Sequence, residues 1–262
     1  MEWIDPVAFY IGSHAVRWYG LSYVFSSFIC FYLCYKDFML HRIMNNINFI
    51  DFCLCVLLGI IFGGKLGYAL FYHPEWIVDN PLKLLKTWEG GRSFHGGLIC
   101  VVGSVFIFCK YQKINVLKVY DIMVSYIPIF IFNVRIANFI NQELPGTITD
   151  MPWGVVFPRF DSFIRHPSQI YEAIGEGFLL YIIIAIYAKK YQKHDGMRGI
   201  VFLIGYAIIR FMIEFVRMPD QHLGYVFLGM TMGQVLCLGM MLAAYLIYLQ
   251  IHRVNSIEKK FL

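Results

Sequence analysis

Along the chain, long apolar runs alternate with short polar connections. The runs cover roughly residues 17–36, 49–72, 95–111, 119–141, 170–188, 199–217 and 227–250. Most are close to the ~20 residues that an α-helix needs to cross a hydrocarbon core of roughly 30 Å. The pattern predicts an all-α membrane protein with seven transmembrane helices in one bundle. It also predicts a single domain over residues 1–262, with extended loops on one side.

Basic residues set the orientation. One set of connections carries Lys36, Arg42, Lys110, Lys113, Lys118, Lys189, Lys190, Lys193, Arg198, Arg253, Lys259 and Lys260. The other carries Arg17, Lys83, Lys86, Arg92, Arg159, Arg165 and Arg217, spread over longer loops. Lys and Arg collect in cytoplasmic loops, which predicts a periplasmic N-terminus and a cytoplasmic C-terminus. The acidic start, Met1-Glu-Trp-Ile-Asp5-Pro6, lacks the basic region of a signal peptide, so the first run is expected to stay in the mature protein. Residues 73–94 read as an interfacial segment with Trp76 and Trp88 at headgroup level. Residues 145–169 form the longest connection.

Composition narrows the class. Of 262 residues 59% are hydrophobic and 15% charged, too little charge for a water-soluble domain of this length. The net charge of +5 reflects the cytoplasmic bias rather than a nucleic-acid surface. All seven cysteines lie inside apolar runs and read as small buried hydrophobes, with no metal site and no disulfide implied.

Against this apolar background a few polar residues stand out. Arg135, Asn138 and Gln142 follow one another at i, i+3 and i+7 on one face of the fourth run, and Glu143, Pro145 and Gly146 come next. A charge at membrane depth is costly, so it marks a functional site by default. The sixth run carries Arg210, Glu214 and Arg217 on one face, and the alternative there is an ion pair that locks helices. The third run starts at Ser93-Phe94-His95-Gly96-Gly97, where Ser93 can cap the helix. His95 then sits at the positive end of the helix, which favours the neutral imidazole. Gly96 and Gly97 let a backbone or a ligand come close. In the second run Lys65, flanked by Gly63, Gly64 and Gly67, marks tight helix packing or a lysine that snorkels outward. The fifth run opens His166-Pro167-Ser168-Gln169, read as a capping turn, with Glu172 as a partner for an arginine.

Several arginines, one histidine and few carboxylates suit an anionic lipid headgroup. Guanidiniums hold phosphate bidentately and stay charged, and a neutral histidine can take a proton. No P-loop, zinc triad or nucleophile elbow is present. A transporter or flippase for an anionic lipid or solute explains the arginines but not the histidine at a helix start. A non-catalytic scaffold predicts that polar substitutions change only stability.

Five blocks carry a resemblance over nearly the whole chain. They are Trp18-Tyr19-Gly20-Leu21, Ser93-Phe94-His95-Gly96-Gly97, Arg135-Ile-Ala-Asn138-Phe-Ile-Asn141-x-Glu143-x-x-Gly146, Arg165-His-Pro-Ser-Gln-x-Tyr-Glu172 and Arg210-Phe-x-x-Glu214-Phe-x-Arg217-x-Pro-Asp220. In this order they resemble the prolipoprotein diacylglyceryl transferase family of the bacterial inner membrane. The resemblance implies transfer of the diacylglyceryl group of phosphatidylglycerol to the lipobox cysteine of a prolipoprotein, with release of glycerol 1-phosphate. It implies catalytic roles for His95, Arg135, Arg210, Tyr19 and Asn138. Arg135, Asn138, Glu143, Gly146, Glu214, Arg217, Gly96, Gly97 and Lys65 would contact substrate, with Glu143 and Glu214 orienting the arginines. No cofactor and no metal are expected, and the partners are phosphatidylglycerol, a lipobox peptide and membrane lipids, with the protein a monomer. Three positions depart from the family pattern: Arg17 where histidine is common, Lys65 where arginine is common, and Thr147 where arginine is usual.

Overall fold

The computed structural model describes residues 4–86, 93–192, 194–219 and 224–258. A helix overlies each of the seven apolar runs, and the chain separates into two compact units. Among the described residues, four helical stretches are long and apolar enough to cross a bilayer: Asn46–Leu70, Val116–Asn141, Ser168–Lys190 and Met232–Arg253. The apolar stretch Gly96–Gln112 is shorter. The helices expose large apolar side chains such as Val24, Phe28, Ile107, Phe178 and Leu242, the reverse of a water-soluble surface. Of the expected sequence features, Met1–Trp3, Trp88, Arg92, Lys193, Asp220, Lys259 and Lys260 lie outside the described residues.

The first unit comprises residues 1–34 and 120–262. It opens with a hairpin that the hydrophobic pattern does not announce, β1 (Val7–Ile11) against β2 (His14–Arg17). Gly12, at φ +60°, supplies the left-handed residue its tight turn needs. Helix α1 (Trp18–Leu40) follows without a gap, its first amide bonded to the Pro6 carbonyl at 3.0 Å.

The second unit, residues 35–119, contains α2 (Asn46–Tyr72), the short α3 (Glu75–Asp79) and α4 (Phe94–Gln112). Two features organise it. Phe38, Phe49, Phe52 and Phe108 form a chain of tilted and edge-on rings. Beyond them α2 and α4 approach until their backbones touch. A Cβ on Gly96 would lie 2.4 Å from the Gly63 carbonyl oxygen and 2.6 Å from the Gly67 Cα. Ser93 caps α4 as expected, its hydroxyl accepting from the Gly96 amide at 3.3 Å. Its own amide donates to the Gly64 carbonyl at 2.8 Å, so the start of α4 is pinned to α2.

The remaining elements belong mainly to the first unit. Helix α5 (Val116–Asn141) leads into residues 142–167, which carry the two-residue strands β3 (Val155–Val156) and β4 (Ile164–Arg165). One helical rod then runs from α6 (Ser168–Glu172) through a π-helical turn, Ala173–Leu179, to α7 (Leu180–Lys190). Ser168 does not act as the expected cap: its hydroxyl donates to the Leu144 carbonyl at 3.1 Å. Helix α8 (Met197–Ile213) starts at Gly196 with no side-chain cap of its own. Buried Asp121 of α5 supplies the acceptor, taking the amides of Gly196 at 2.8 Å and Gly199 at 3.0 Å.

Two helices fall short of their predicted runs by four or five residues. The sixth run was expected to remain helical to residue 217, but α8 stops at Ile213. Residues 214–217 turn and pair with the loop, the Thr147 amide donating to the Val216 carbonyl at 2.9 Å. The seventh run starts at Met232 rather than residue 227, because Tyr225–Phe227 (β5) and Met230–Thr231 (β6) form a hairpin. Leu228 and Gly229, at φ 48° and 73°, make the doubly left-handed turn that suits a two-residue hairpin loop. Helix α9 (Met232–Glu258) follows.

Candidate active site

In the first unit, α5, the α6–π rod, α8 and the turn after α8 bring three arginines and three glutamates together. Arg135 Nη1 is 3.1 Å from Glu172 Oε2, and its Nη2 is 3.3 Å from Glu176 Oε2. Arg210 Nη1 reaches Glu172 Oε1 at 2.5 Å and Glu176 Oε1 at 3.2 Å, while its Nη2 donates to Glu214 Oε1 at 2.5 Å. Arg217 Nη1 donates to Glu172 Oε1 at 2.8 Å, and its Nε stands 3.5 Å from Glu214 Oε1. Thr231 donates to the second Glu214 oxygen at 2.7 Å. Gly233 has no Cβ because one would lie 2.6 Å from the Glu214 carboxyl carbon.

Exposure orders this array. The Glu172, Glu176 and Glu214 side chains are 0%, 0% and 4% exposed, whereas Arg135, Arg210 and Arg217 keep 17%, 12% and 11%. The carboxylates are almost completely buried, and each arginine side chain keeps a small exposed part. Removing one member of such a buried ion group costs about 3–5 kcal/mol, because a partner is left charged and unpaired. The expectation of few carboxylates is therefore corrected: in formal charge the array is neutral. The reading of Glu172 as an arginine partner holds, and so does that of Glu214.

Glu176 escaped the sequence reading. Its signal was a carboxylate at i+4 from Glu172 inside an apolar run, the same cost argument that singled out Arg135.

At the end of α5 the chain turns through Gln142 and Leu144, at φ 60° and 56°. The turn presents Glu143. Its carboxylate is exposed and takes the amides of Asn138 at 3.1 Å and Asn141 at 3.2 Å. Glu143 was expected to orient an arginine, but these asparagines hold it instead. Gln169 fixes the turn from α6, donating to the Glu143 carbonyl at 2.5 Å. Tyr19, in the first turn of α1, interacts electrostatically with both Glu143 and Arg135 and shares a 3.0 Å hydrogen bond with Tyr23.

Gly146 is a crossing point of backbones: a Cβ there would meet the Val216 carbonyl oxygen at 2.5 Å and the His166 Cβ at 2.7 Å. Arg165 locks this crossing. It donates to the Gly146 carbonyl at 3.0 Å and to Asp161 at 2.6 Å, and its guanidinium lies over the Phe160 ring. The Arg165 guanidinium holds the Asp161 carboxyl below the usual carboxylate range.

Tyr19, Arg135, Asn138, Glu143, Gly146, Arg210, Glu214 and Arg217 thus all belong to the first unit. Lys65, His95, Gly96 and Gly97 belong to the second. Lys65 does not snorkel: it is buried, with its ammonium 5.4 Å from the centre of the Trp76 ring. Gly96 is filled by α2, whereas Gly97 keeps ordinary clearance, its nearest neighbour being the Ile60 carbonyl oxygen at 3.6 Å from a built Cβ. His95 lies in the first turn of α4, and its side chain is outside the described residues. Among the described residues no group of three or more His, Cys, Asp or Glu side chains is placed to hold a metal ion.

The sequence profile of prolipoprotein diacylglyceryl transferase matches residues 6–250. The chain belongs to that family. It is 42% identical over 254 residues to the phosphatidylglycerol–prolipoprotein diacylglyceryl transferase of Wolbachia pipientis subsp. Culex pipiens (strain wPip), covering 94% of both chains. The protein of the same name from Ehrlichia canis (strain Jake) is 43% identical over 246 residues, covering 92% of this chain and 94% of its own. That of Rickettsia bellii (strain OSU 85-389) is 43% identical over 244 residues, covering 91% and 92%. The match includes both units, so in this family member the arginine–glutamate array and the Ser93–Gly97 helix start fall within one shared sequence.

Proposed function

We propose that the arginine face of this array is where phosphatidylglycerol reacts with a lipobox cysteine. The enzyme is a phosphatidylglycerol–prolipoprotein diacylglyceryl transferase, which carries out the first step of lipoprotein maturation. The observation that carries the site assignment is the burial order, with Arg135 and Arg210 keeping the exposure that Glu172 and Glu176 lack.

The reaction balances as follows. The cysteine thiol gives its proton to a base, and its sulfur attacks the diacylglyceryl carbon that bears the phosphate ester. A C–S bond forms and the C–O bond breaks. The electron pair leaves on the phosphate oxygen of glycerol 1-phosphate. A thiol with a pKa of about 8.5 needs that base, and His95 is our assignment for it. Charge grows on the leaving phosphate, where Arg135 and Arg210 neutralise it. Tyr19 and Asn138 bond headgroup or phosphate oxygens. Glu143 accepts from the glycerol hydroxyls, and Glu214 orients Arg210. Arg217 completes the substrate-facing set of the first unit, whereas Gly146 and, in the second unit, Gly96 and Lys65 are taken up by contacts within the protein. The reaction draws its energy from the phosphate ester of the lipid and needs neither cofactor nor metal.

In this reading the seven helices all cross the bacterial inner membrane as one functional domain, with a periplasmic N-terminus and a cytoplasmic C-terminus. The protein works as a monomer. The purified protein incubated with headgroup-distal labelled diacyl phosphatidylglycerol and a lipobox peptide is expected to yield labelled peptide. His95→Gln is expected to abolish the label. Lipid relocation without covalent product would instead favour a flippase.

A further inference from the structure

We infer that Gly175-Glu176-Gly177 is a positioning device that sets the spacing between Arg135 and Arg210. The inference rests on the proposed site and adds residues to it.

The carboxylate of Glu176 divides its two oxygens between two helices. Oε2 is 3.3 Å from Arg135 of α5, and Oε1 is 3.2 Å from Arg210 of α8. Glu172 already bridges the same two arginines from one turn earlier, at 3.1 and 2.5 Å. Two carboxylates, one turn apart on one rod, therefore hold the two guanidiniums at two levels. On Arg135 the two bridges take different nitrogens, Nη1 and Nη2, and so fix both the place and the plane of the guanidinium; on Arg210 both take Nη1, and Glu214 on Nη2 completes the hold.

The two glycines beside Glu176 show why the rod comes this close. A Cβ on Gly177 would lie 2.6 Å from the Phe132 Cβ and 2.8 Å from its Cα, three residues before Arg135 on α5. A Cβ on Gly175 would lie 2.6 Å from Ile209 Cγ2, next to Arg210 on α8. Each glycine admits one arginine-bearing helix, and the glutamate between them reaches both arginines. The three residues sit in the π-helical turn Ala173–Leu179, a backbone form that is rare and recurs at functional sites.

Glu176 does not face the accessible side, so it acts through the arginines rather than on substrate. Its replacement should therefore change the rate of transfer more than the binding of lipid. The test uses the full-length protein in detergent micelles, labelled phosphatidylglycerol, a lipobox peptide and a thermal unfolding measurement on each variant. Glu176→Asp keeps the charge and withdraws the carboxylate by one methylene. It is expected to lower kcat by roughly tenfold while KM for the lipid stays within about threefold. Its unfolding midpoint should match that of the wild type. Glu176→Gln is expected to lower kcat further.

Wild-type kcat in Glu176→Asp would overturn the inference, because charge balance alone would then suffice. So would a rise in KM at unchanged kcat, or a loss of activity matched by loss of folded protein in Glu176→Asp. If Glu176→Gln fails to fold, the aspartate variant decides alone. No labelled peptide from the wild-type protein would instead sink the site's proposed reaction, and the positioning role with it.

Discussion

Arg210 shows what a single side chain contributes that its charge does not. Its Nη1 meets Glu172 and Glu176, and its Nη2 meets Glu214. A lysine keeps the charge but has one nitrogen on a flexible stem, which cannot span those positions. Arg210→Lys is therefore expected to lower kcat/KM by at least roughly tenfold, about 1.4 kcal/mol of transition-state stabilisation. Steady-state transfer to a lipobox peptide measures it, and an unchanged value would refute the planar, multi-donor role. Gly96 and Gly97 make a second contrast. A methyl group on Gly96 collides with the α2 backbone, so Gly96→Ala should lower the unfolding midpoint. Gly97 has clearance, so Gly97→Ala should leave the midpoint unchanged. Lost transfer in a folded Gly97→Ala would identify Gly97 as a substrate contact. The sequence treats these adjacent glycines alike; only the distance to the facing helix separates them.

At the scale of elements, apolar runs marked every long helix but misplaced those ends that other segments control. Helix α8 stops early because residues 214–217 find partners in the 146–147 loop, and α9 starts late because Tyr225–Thr231 fold into a hairpin. The start of α8 depends on Asp121, more than seventy residues away in sequence. Such bonds leave no periodic signal. The 142–167 loop has its own electrostatic lock in Asp161 and Arg165. The Asp161 carboxyl titrates below its ordinary range, so it binds fewer protons folded than unfolded. Its contribution is complete above the unfolded value of about 4 and fades as pH falls through the folded one. The wild-type midpoint should therefore exceed that of Asp161→Asn near neutrality, and the gap should shrink on acidification below about pH 4. A gap independent of pH would refute the lock.

At the scale of the whole molecule, the distribution of Lys and Arg determines which loops face which compartment. Lys113 and Asp150 are both exposed and lie on opposite sides of the proposed topology. In spheroplasts, Asp150→Cys should react with a membrane-impermeant maleimide, measured against the wild-type cysteine background. Lys113→Cys should react only after the membrane is opened. Labelling of both in intact spheroplasts would overturn the orientation.

The amino-acid sequence by itself determined the helical membrane class and the family, because runs of apolar residues and ordered motif blocks are local properties. It also singled out Arg135, Arg210 and Glu214, since a charge in an apolar run is conspicuous wherever it sits. Tertiary structure decided how those charges are neutralised. Glu172 and Glu176 pair with arginines on two other helices, Glu143 is held by asparagines rather than by an arginine, and Lys65 points into the protein toward Trp76. Each outcome depends on which helix lies opposite, and a pairing across space is written in no single stretch of chain.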